Sequence, residues 1–146
     1  MSGKIIKINS DLYTVLLENK RSIECKCRGK FRNDNIKPLV GDNVIIENNV
    51  ITKIKERKNE LNRPLVANID KLLIVVSVSI PKFSSYLLDK FLIVAHTNNI
   101  EPIIVITKMD LLNLNQKKEV NKYIKYYKSI GYKVFLNKNI KVIKKE

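Results

Sequence analysis

The sequence has few of the residues that usually carry chemistry: no tryptophan, one histidine and two cysteines among 146 residues. Cys25 and Cys27 are one residue apart, so in an extended strand they lie on the same face, too close for an ordinary disulfide. No second pair of cysteines or histidines is present to complete a zinc site. We therefore expect both cysteines to be structural, without a metal or redox role.

A phosphate-binding loop is also absent, since the pattern GxxxxGK[ST] does not occur in the 146 residues. None of the glycines in its loops opens a helix after a strand, so nothing in the sequence could cradle a triphosphate. The single histidine, His96, falls near the end of a predicted helix without a nucleophile or metal partner, and we expect it at the surface. The sequence therefore predicts no catalytic residue and no metal site in this chain.

Long apolar runs are missing as well. No run is long enough to span a bilayer, and the first residues lack the apolar core of a secretory signal. We expect a cytoplasmic protein with no membrane partner.

Positive charge, in contrast, is abundant: 28 lysines and arginines against 14 aspartates and glutamates give a net charge of +14. Such an excess favours a polyanionic partner such as nucleic acid. The competing interpretation is that the lysines only solvate the surface, because Lys, Ile and Asn are residues that an AT-rich genome readily encodes. The distribution of the charge is therefore more informative than its sum.

The first part of the chain has the pattern of a small β-protein. Five short stretches rich in β-branched and aromatic residues cover residues 5–8, 12–18, 22–27, 40–47 and 50–57. Polar breakers separate them, turns recur about every eight to twelve residues, and no stretch has a helical period. This pattern predicts a five-stranded antiparallel barrel within residues 1–60.

The second part alternates strands and helices. Residues 71–80 form a continuous apolar run, as expected for a strand buried on both faces of a parallel sheet, and residues 101–107 and 132–136 predict two more strands. Between these strands, two groups of apolar residues have helical spacing: Leu87, Leu88, Phe91, Leu92 and Ala95, then Val120, Tyr123, Ile124, Tyr127 and Ile130. The order predicts half of a doubly wound α/β sheet in residues 71–146, joined to the barrel by a connector over 61–70.

One tetrapeptide at the end of a predicted strand suits nucleotide binding: Thr107-Lys108-Met109-Asp110. Both oxygens of Asp110 can accept the N1–H and N2–H donors of guanine, and adenine lacks this donor pair, which would leave the carboxylate unpaired. The stem of Lys108 can lie along the base. The competing interpretation is an ordinary polar loop, because Lys-x-Asp after a strand is a common pattern.

A basic loop between two predicted barrel strands suits RNA binding. Its cations are Arg28, Lys30, Arg32 and Lys37, and they surround Phe31. Loops of small barrels combine cations for phosphates with an aromatic ring for stacking on bases. The competing interpretation is a solvated basic turn with Phe31 in the core.

Four segments resemble the ribosome small-subunit-dependent GTPase A (RsgA) family: CRGKFR, KPLVGD, RKNELNRPLVANID and EPIIVITKMDLL. The resemblance runs from about Gly3 to Phe135. Its most specific part is the connector, which matches the family at Arg57, Asn59, Leu61, Arg63, Pro64, Val66, Ala67, Asn68 and Asp70.

The resemblance implies an N-terminal OB-fold that contacts ribosomal RNA and a GTPase domain of the P-loop NTPase type with circularly permuted motifs. The predicted fold class is thus a five-stranded OB barrel followed by a partial doubly wound α/β domain. The resemblance also implies that the motif at Thr107, Lys108 and Asp110 binds GTP or GDP, although the family usually has Asn where this chain has Thr107. Mg²⁺ and Zn²⁺ are implied for full-length relatives but not for this chain.

After the strand 132–136, the family would continue with a Ser/Ala motif, the phosphate loop, switch regions and a zinc-binding domain, whereas this sequence continues with NKNIKVIKKE. We expect a monomeric factor in late maturation of the small ribosomal subunit, with that subunit and its rRNA as partners. Hydrolysis of GTP is expected only of the full-length relative. Two alternatives remain: a stand-alone OB-fold RNA-binding protein and a nonfunctional truncated gene product.

Overall fold

The computed structural model describes residues 1–27 and 37–136. The chain forms two compact units, of which the first is Met1–Ile69 and the second starts at Asp70.

The first unit is built on a closed barrel. Its five strands are β1 (Ser2–Asn9), β2 (Leu12–Leu17), β3 (Ser22–Cys27), β4 (Asn43–Glu47) and β5 (Val50–Ile54). The strand order is β1-β2-β3-β5-β4, and β1 pairs with β4 to close the barrel. All pairs are antiparallel except β3 with β5. The predicted five-stranded barrel is confirmed, and this is the architecture of an OB-fold.

The barrel core consists of alternate residues along the strands. The buried members are Ile5, Val15, Cys25, Val44, Ile46 and Ile51. Cys27 packs against the same cluster, and neither cysteine forms a disulfide. Burial raises the pKa of the Cys25 thiol, which keeps it protonated and unreactive.

The segment predicted as a connector contains secondary structure that the sequence pattern did not indicate. Two strands, β6 (Glu60–Asn62) and β7 (Leu65–Ala67), pair antiparallel, and Val66 forms a parallel bridge to Val40. This hairpin therefore belongs to the first unit. Each strand has only three residues, which is too short for an alternating pattern to be recognised.

The second unit alternates strands and helices. Its elements are β8 (Lys71–Ser77), α1 (Ser85–Thr97), β9 (Glu101–Thr107), a 3-10 turn (Met109–Leu111), α2 (Leu114–Ser129) and β10 (Lys133–Leu136). The sheet has the order β10-β9-β8 and is entirely parallel. Within the described residues, no helix combines the length and the apolar character needed to cross a membrane.

Both helices pack on one face of this sheet. The buried cluster contains Leu88 and Leu92 of α1, Val120, Ile124 and Tyr127 of α2, and strand residues Ile74, Ile104, Ile106 and Val134. Ser84 caps α1 by accepting from the Leu87 amide, and Asn113 and Gln116 form a capping box at α2. One half of a doubly wound sheet is therefore present.

Three details of the predicted α/β half are wrong. β8 ends at Ser77 rather than at residue 80, because the Ser77 hydroxyl bonds to the Ile80 carbonyl oxygen and turns the chain. Its side chains are not buried on both faces: Leu73 is 47% and Val75 62% exposed, since the helices of the described chain cover only the other face. On α1 the buried stripe is Leu88, Leu92 and Ala95, whereas Leu87 and Phe91 are largely exposed.

Candidate functional site

The nucleotide motif lies at the carboxyl edge of the parallel sheet. Ser77 of β8 is in register with Thr107, the last residue of β9, so the two strands end together. Ligands of open α/β sheets bind outside this edge. The Thr107 hydroxyl donates to the carbonyl oxygen of Val76 at 3.2 Å and thereby fastens the end of β9 to β8.

Lys108 has a strained backbone, and a hydrogen bond holds its side chain in place. Its φ of 63° lies in the left-handed region, which costs a non-glycine residue roughly 1–2 kcal/mol. The ammonium group donates to the carbonyl oxygen of Ile80, which draws the aliphatic stem across the edge of the sheet.

Asp110 is presented to solvent on the 3-10 turn that follows β9. The turn is held by backbone bonds from Leu111 to Lys108 and from Leu112 to Met109, and the buried side chain of Leu112 anchors it in the core. Within the described part of the chain, the Asp110 carboxylate has no hydrogen bond or ion pair. Both of its oxygens can therefore accept hydrogen bonds from a ligand.

A cleft of about 490 Å³ lies beside the motif rather than over it. Phe83 and Tyr123, whose ring centroids are 4.9 Å apart, line the cleft together with Ser84, Gln116 and Glu119. Leu111 reaches the cleft, but Thr107, Lys108 and Asp110 do not. The structure thus brings the three motif residues to one edge of the sheet, and none of them lines this cleft.

Most of the predicted RNA-binding loop lies outside the described residues, including Arg28, Lys30, Phe31 and Arg32. Lys37 is described and its side chain is exposed. Its carbonyl oxygen accepts a hydrogen bond of 2.7 Å from Nη2 of Arg57, which fixes the backbone at this position.

A buried ion pair beside Lys37 was missed by the sequence analysis. Asp42 is fully buried, and its carboxylate accepts from the Leu39 amide at 2.8 Å and from Arg57 Nε and Nη2 at 2.7 and 2.8 Å. Arg57 Nη1 donates to Glu60 at 2.6 Å. The hydrogen bond to Asp42 is the main reason why the pKa of Arg57 lies above its usual value, so this guanidinium stays charged.

Two asparagines extend this network. Asn59 exchanges side-chain hydrogen bonds with the backbone of Ile69, and Asn68 accepts from the Lys58 amide and donates to the carbonyl oxygen of Gly41. Gly41 has a φ of +96°, and a Cβ there would lie 1.9 Å from the carbonyl oxygen of Ala67. We call Gly41, Asp42, Arg57, Asn59 and Asn68 the polar clasp. It joins the barrel to the β6–β7 hairpin.

The described residues contain no group of three or more His, Cys, Asp or Glu side chains that could hold a metal ion. His96 is exposed and its Nε2 lies 2.8 Å from the Tyr132 hydroxyl.

Comparison with known proteins gives two family matches that adjoin along the chain. The RsgA N-terminal domain matches residues 2–53, and the RsgA GTPase matches residues 54–145. A relative named small ribosomal subunit biogenesis GTPase RsgA, from Halalkalibacterium halodurans, is 45% identical over 143 residues, which cover 94% of this chain and 48% of the relative.

Two solved structures are similar to the chain. YloQ, described as a circularly permuted GTPase, has a TM-score of 0.81 and 44% identity over 92% of this chain and 50% of its own. YjeQ from Thermotoga maritima has a TM-score of 0.86 and 36% identity over 99% of this chain and 55% of its own. The chain thus spans about half the length of the relatives it matches.

Proposed function

This chain belongs to the RsgA GTPase family, and on that premise we propose that it acts in biogenesis of the small ribosomal subunit. In this proposal the barrel unit binds ribosomal RNA, and the α/β unit supplies the part of a nucleotide site that recognises guanine. The main observation in support of this proposal is the Asp110 carboxylate, which lies at the carboxyl edge of the sheet without a partner among the described residues. We place the protein in the cytoplasm, where bacterial ribosomal subunits assemble, and propose that it is a monomer.

Guanine recognition follows from the chemistry of the motif. The two oxygens of Asp110 would accept the N1–H and N2–H of guanine, and the Lys108 stem would lie along the ring. Thr107, already bonded to Val76, would hold the end of the strand in place. Adenine offers no matching donor pair, so the site discriminates by leaving the carboxylate unpaired beside the wrong base.

Binding by this chain should be weak, because the sequence has no phosphate loop to add contacts to the phosphates. We expect a dissociation constant for GDP no tighter than about millimolar, corresponding to about 4 kcal/mol. NMR titration with GDP and with ADP tests this. Shifts at Lys108 and Asp110 with GDP alone support the proposal. Equal shifts with ADP, or a micromolar constant, would contradict it.

Hydrolysis is not part of the proposed activity of this chain. We expect no release of phosphate from GTP above background, with or without small ribosomal subunits, since no phosphate loop is present to position the nucleotide. Saturable release that persists after contaminating GTPases have been removed would show that a complete site exists.

RNA binding is assigned to the loop that carries Arg28, Lys30, Arg32 and Lys37. If these cations displace counterions from phosphates, Arg28→Ala with Arg32→Ala should reduce the salt slope of binding by up to about 2. A matched control removes two charges from exposed strand positions, Lys7→Ala with Lys53→Ala. Equal losses in the two double variants would mean that only total charge matters.

A second candidate function is RNA binding alone, with the α/β unit as a scaffold. The observation in its favour is that none of the three motif residues lines the 490 Å³ cleft of the α/β unit. The two candidates differ in one outcome: the RNA-binding protein would bind small-subunit rRNA as described above and show no preference for GDP over ADP.

A further inference from the structure

The outer face of α2 is the most strongly basic helical surface of the described chain. Five lysines, Lys117, Lys118, Lys122, Lys125 and Lys128, share the helix with a single acid, Glu119. The opposite face is apolar and is buried against the sheet through Val120, Ile124 and Tyr127. The lysines are therefore held on a rigid element rather than on a loop.

The stability of the helix does not account for this arrangement. Lys118 and Lys122 are four residues apart, and Lys122 and Lys125 three apart, so like charges lie next to each other and destabilise the helix. The first turn has no acid, although the positive end of the helix dipole favours one there. Within the described residues, none of these lysines forms an ion pair with an acid.

The geometry of the face suits an extended polyanion. At 3.6 residues per turn, Lys118, Lys122 and Lys125 fall within about 60° of one another and span about 10 Å along the axis. Tyr126, which is 57% exposed, lies at the flank of this row and offers a ring on which an unpaired base can stack. Lysines meet phosphates as point charges, which suits contact with a backbone of any sequence.

We propose that the lysine face of α2, defined by Lys118, Lys122 and Lys125, binds the phosphate backbone of RNA as a contact surface in addition to the barrel loop. The inference rests on the proposed function, in which small-subunit rRNA is the partner. An anionic membrane fits less well. A basic helix binds membranes by inserting its apolar face, and here that face is buried in the protein core.

The experiment measures binding of the full chain to small-subunit rRNA across a salt series. The test variant carries Lys118→Gln, Lys122→Gln and Lys125→Gln, and Gln keeps good helix propensity. The matched control removes three charges from exposed positions of the same unit: Lys71→Gln, Lys82→Gln and Lys90→Gln. We expect the test variant to lose about tenfold in affinity at 0.1 M salt and about 2 to 3 units of salt slope, and the control to lose much less.

A second variant separates charge from folding. Replacing the same three lysines by Arg keeps the charge, so it should keep the salt slope of the unchanged chain. Circular dichroism verifies that α2 remains folded in each variant. If the Arg variant folds and loses binding as fully as the Gln variant, phosphate contact is not what the face provides, and the inference is overturned.

The other possible results of the RNA-binding experiment have different consequences for the inference and for the proposed function. Equal losses in test and control variants would overturn the inference and leave only bulk charge. A test variant that loses binding to vesicles of phosphatidylserine and phosphatidylcholine but keeps its binding to rRNA would also overturn the inference, in favour of a membrane as the partner. If Arg28→Ala with Arg32→Ala weakens RNA binding while the test variant does not, the proposed function stands and this inference alone fails. If the unchanged chain does not bind RNA, both the proposed function and this inference are wrong.

Discussion

In the barrel unit, the polar residues of the family-like segments, among them Asp42 and Arg57, form hydrogen bonds within the fold. In the α/β unit, Lys108 and Asp110 of the nucleotide motif are exposed at the edge of a sheet. Asp42 satisfies both carboxylate oxygens inside the polar clasp. Asp110 has no such partner within the described residues. Two aspartates in equally recognisable motifs thus have different physical roles, one in holding the fold and the other, we infer, in meeting a ligand.

The comparison explains why a family signature is not always a functional site. A buried carboxylate without partners is too costly to keep, so Asp42 requires Arg57 and fixes the residues around it. An exposed carboxylate without partners costs little, because water solvates it, so the fold does not need to supply a partner. The exposure and hydrogen bonding of the carboxylate distinguish the two cases.

The largest effect is expected from breaking the polar clasp. Asp42→Ala would leave the partly buried Arg57 and the Leu39 amide without their acceptor. We expect a loss of about 3 kcal/mol in the free energy of unfolding, toward the low end for a broken buried pair because Arg57 is partly exposed and keeps Glu60. Urea unfolding followed by circular dichroism measures this. Glu47→Ala, an exposed acid of the same unit, is the control, and an equal loss there would contradict the structural role.

A second comparison uses one glycine from each unit with nearly the same backbone angle. Gly41→Ala forces a Cβ against the Ala67 carbonyl oxygen at a φ of +96°, and should cost about 2–3 kcal/mol. Gly131→Ala has a φ of +98° with nothing within 4 Å, so it should cost only the backbone strain of about 1 kcal/mol. Equal losses in thermal unfolding would mean that the close approach at Gly41 has no energetic weight.

Much of the fold could be predicted from the sequence because the periods of strands and helices reflect burial directly. The alternation along β1 to β5 and the spacing of Val120, Ile124 and Tyr127 identified elements that the structure contains. The polar clasp could not be predicted, because Asp42 and Arg57 are 15 residues apart and meet only through the barrel register.

Part of the candidate site could also be predicted from the sequence, because the pattern of burial marks where a strand ends. The end of β9 follows from the apolar run before it, so the edge position of Thr107 was accessible to sequence reasoning. The left-handed backbone of Lys108 and its contact with Ile80 could not be predicted from the sequence, because they depend on the path of the chain after β8.

A smaller effect is expected at the one buried tyrosine of the α/β core. Tyr127→Phe removes a 2.7 Å hydrogen bond to Asp89 and should cost about 1 kcal/mol. Burial, and then Asp89, raise the pKa of Tyr127, so the folded chain holds this proton more tightly than the unfolded chain. The stability that this proton contributes is therefore complete below about pH 10 and is lost as the pH rises above it. Unfolding measured from pH 8 to 11 should show a shallower alkaline loss in Tyr127→Phe. The same loss in both proteins would contradict the assignment.

The central claim, that Asp110 faces a base while Asp42 holds the fold, is tested most directly by Asp110→Asn. The substitution turns one acceptor into a donor, so the preferred base should change from guanine to xanthine, which carries a carbonyl oxygen where guanine carries its amino group. NMR titration with GDP and xanthosine diphosphate measures the preference, and urea unfolding should show no change beyond about 0.5 kcal/mol. We predict that the preference reverses while stability is unchanged. An unchanged preference, or a loss of stability as large as that of Asp42→Ala, would contradict the account.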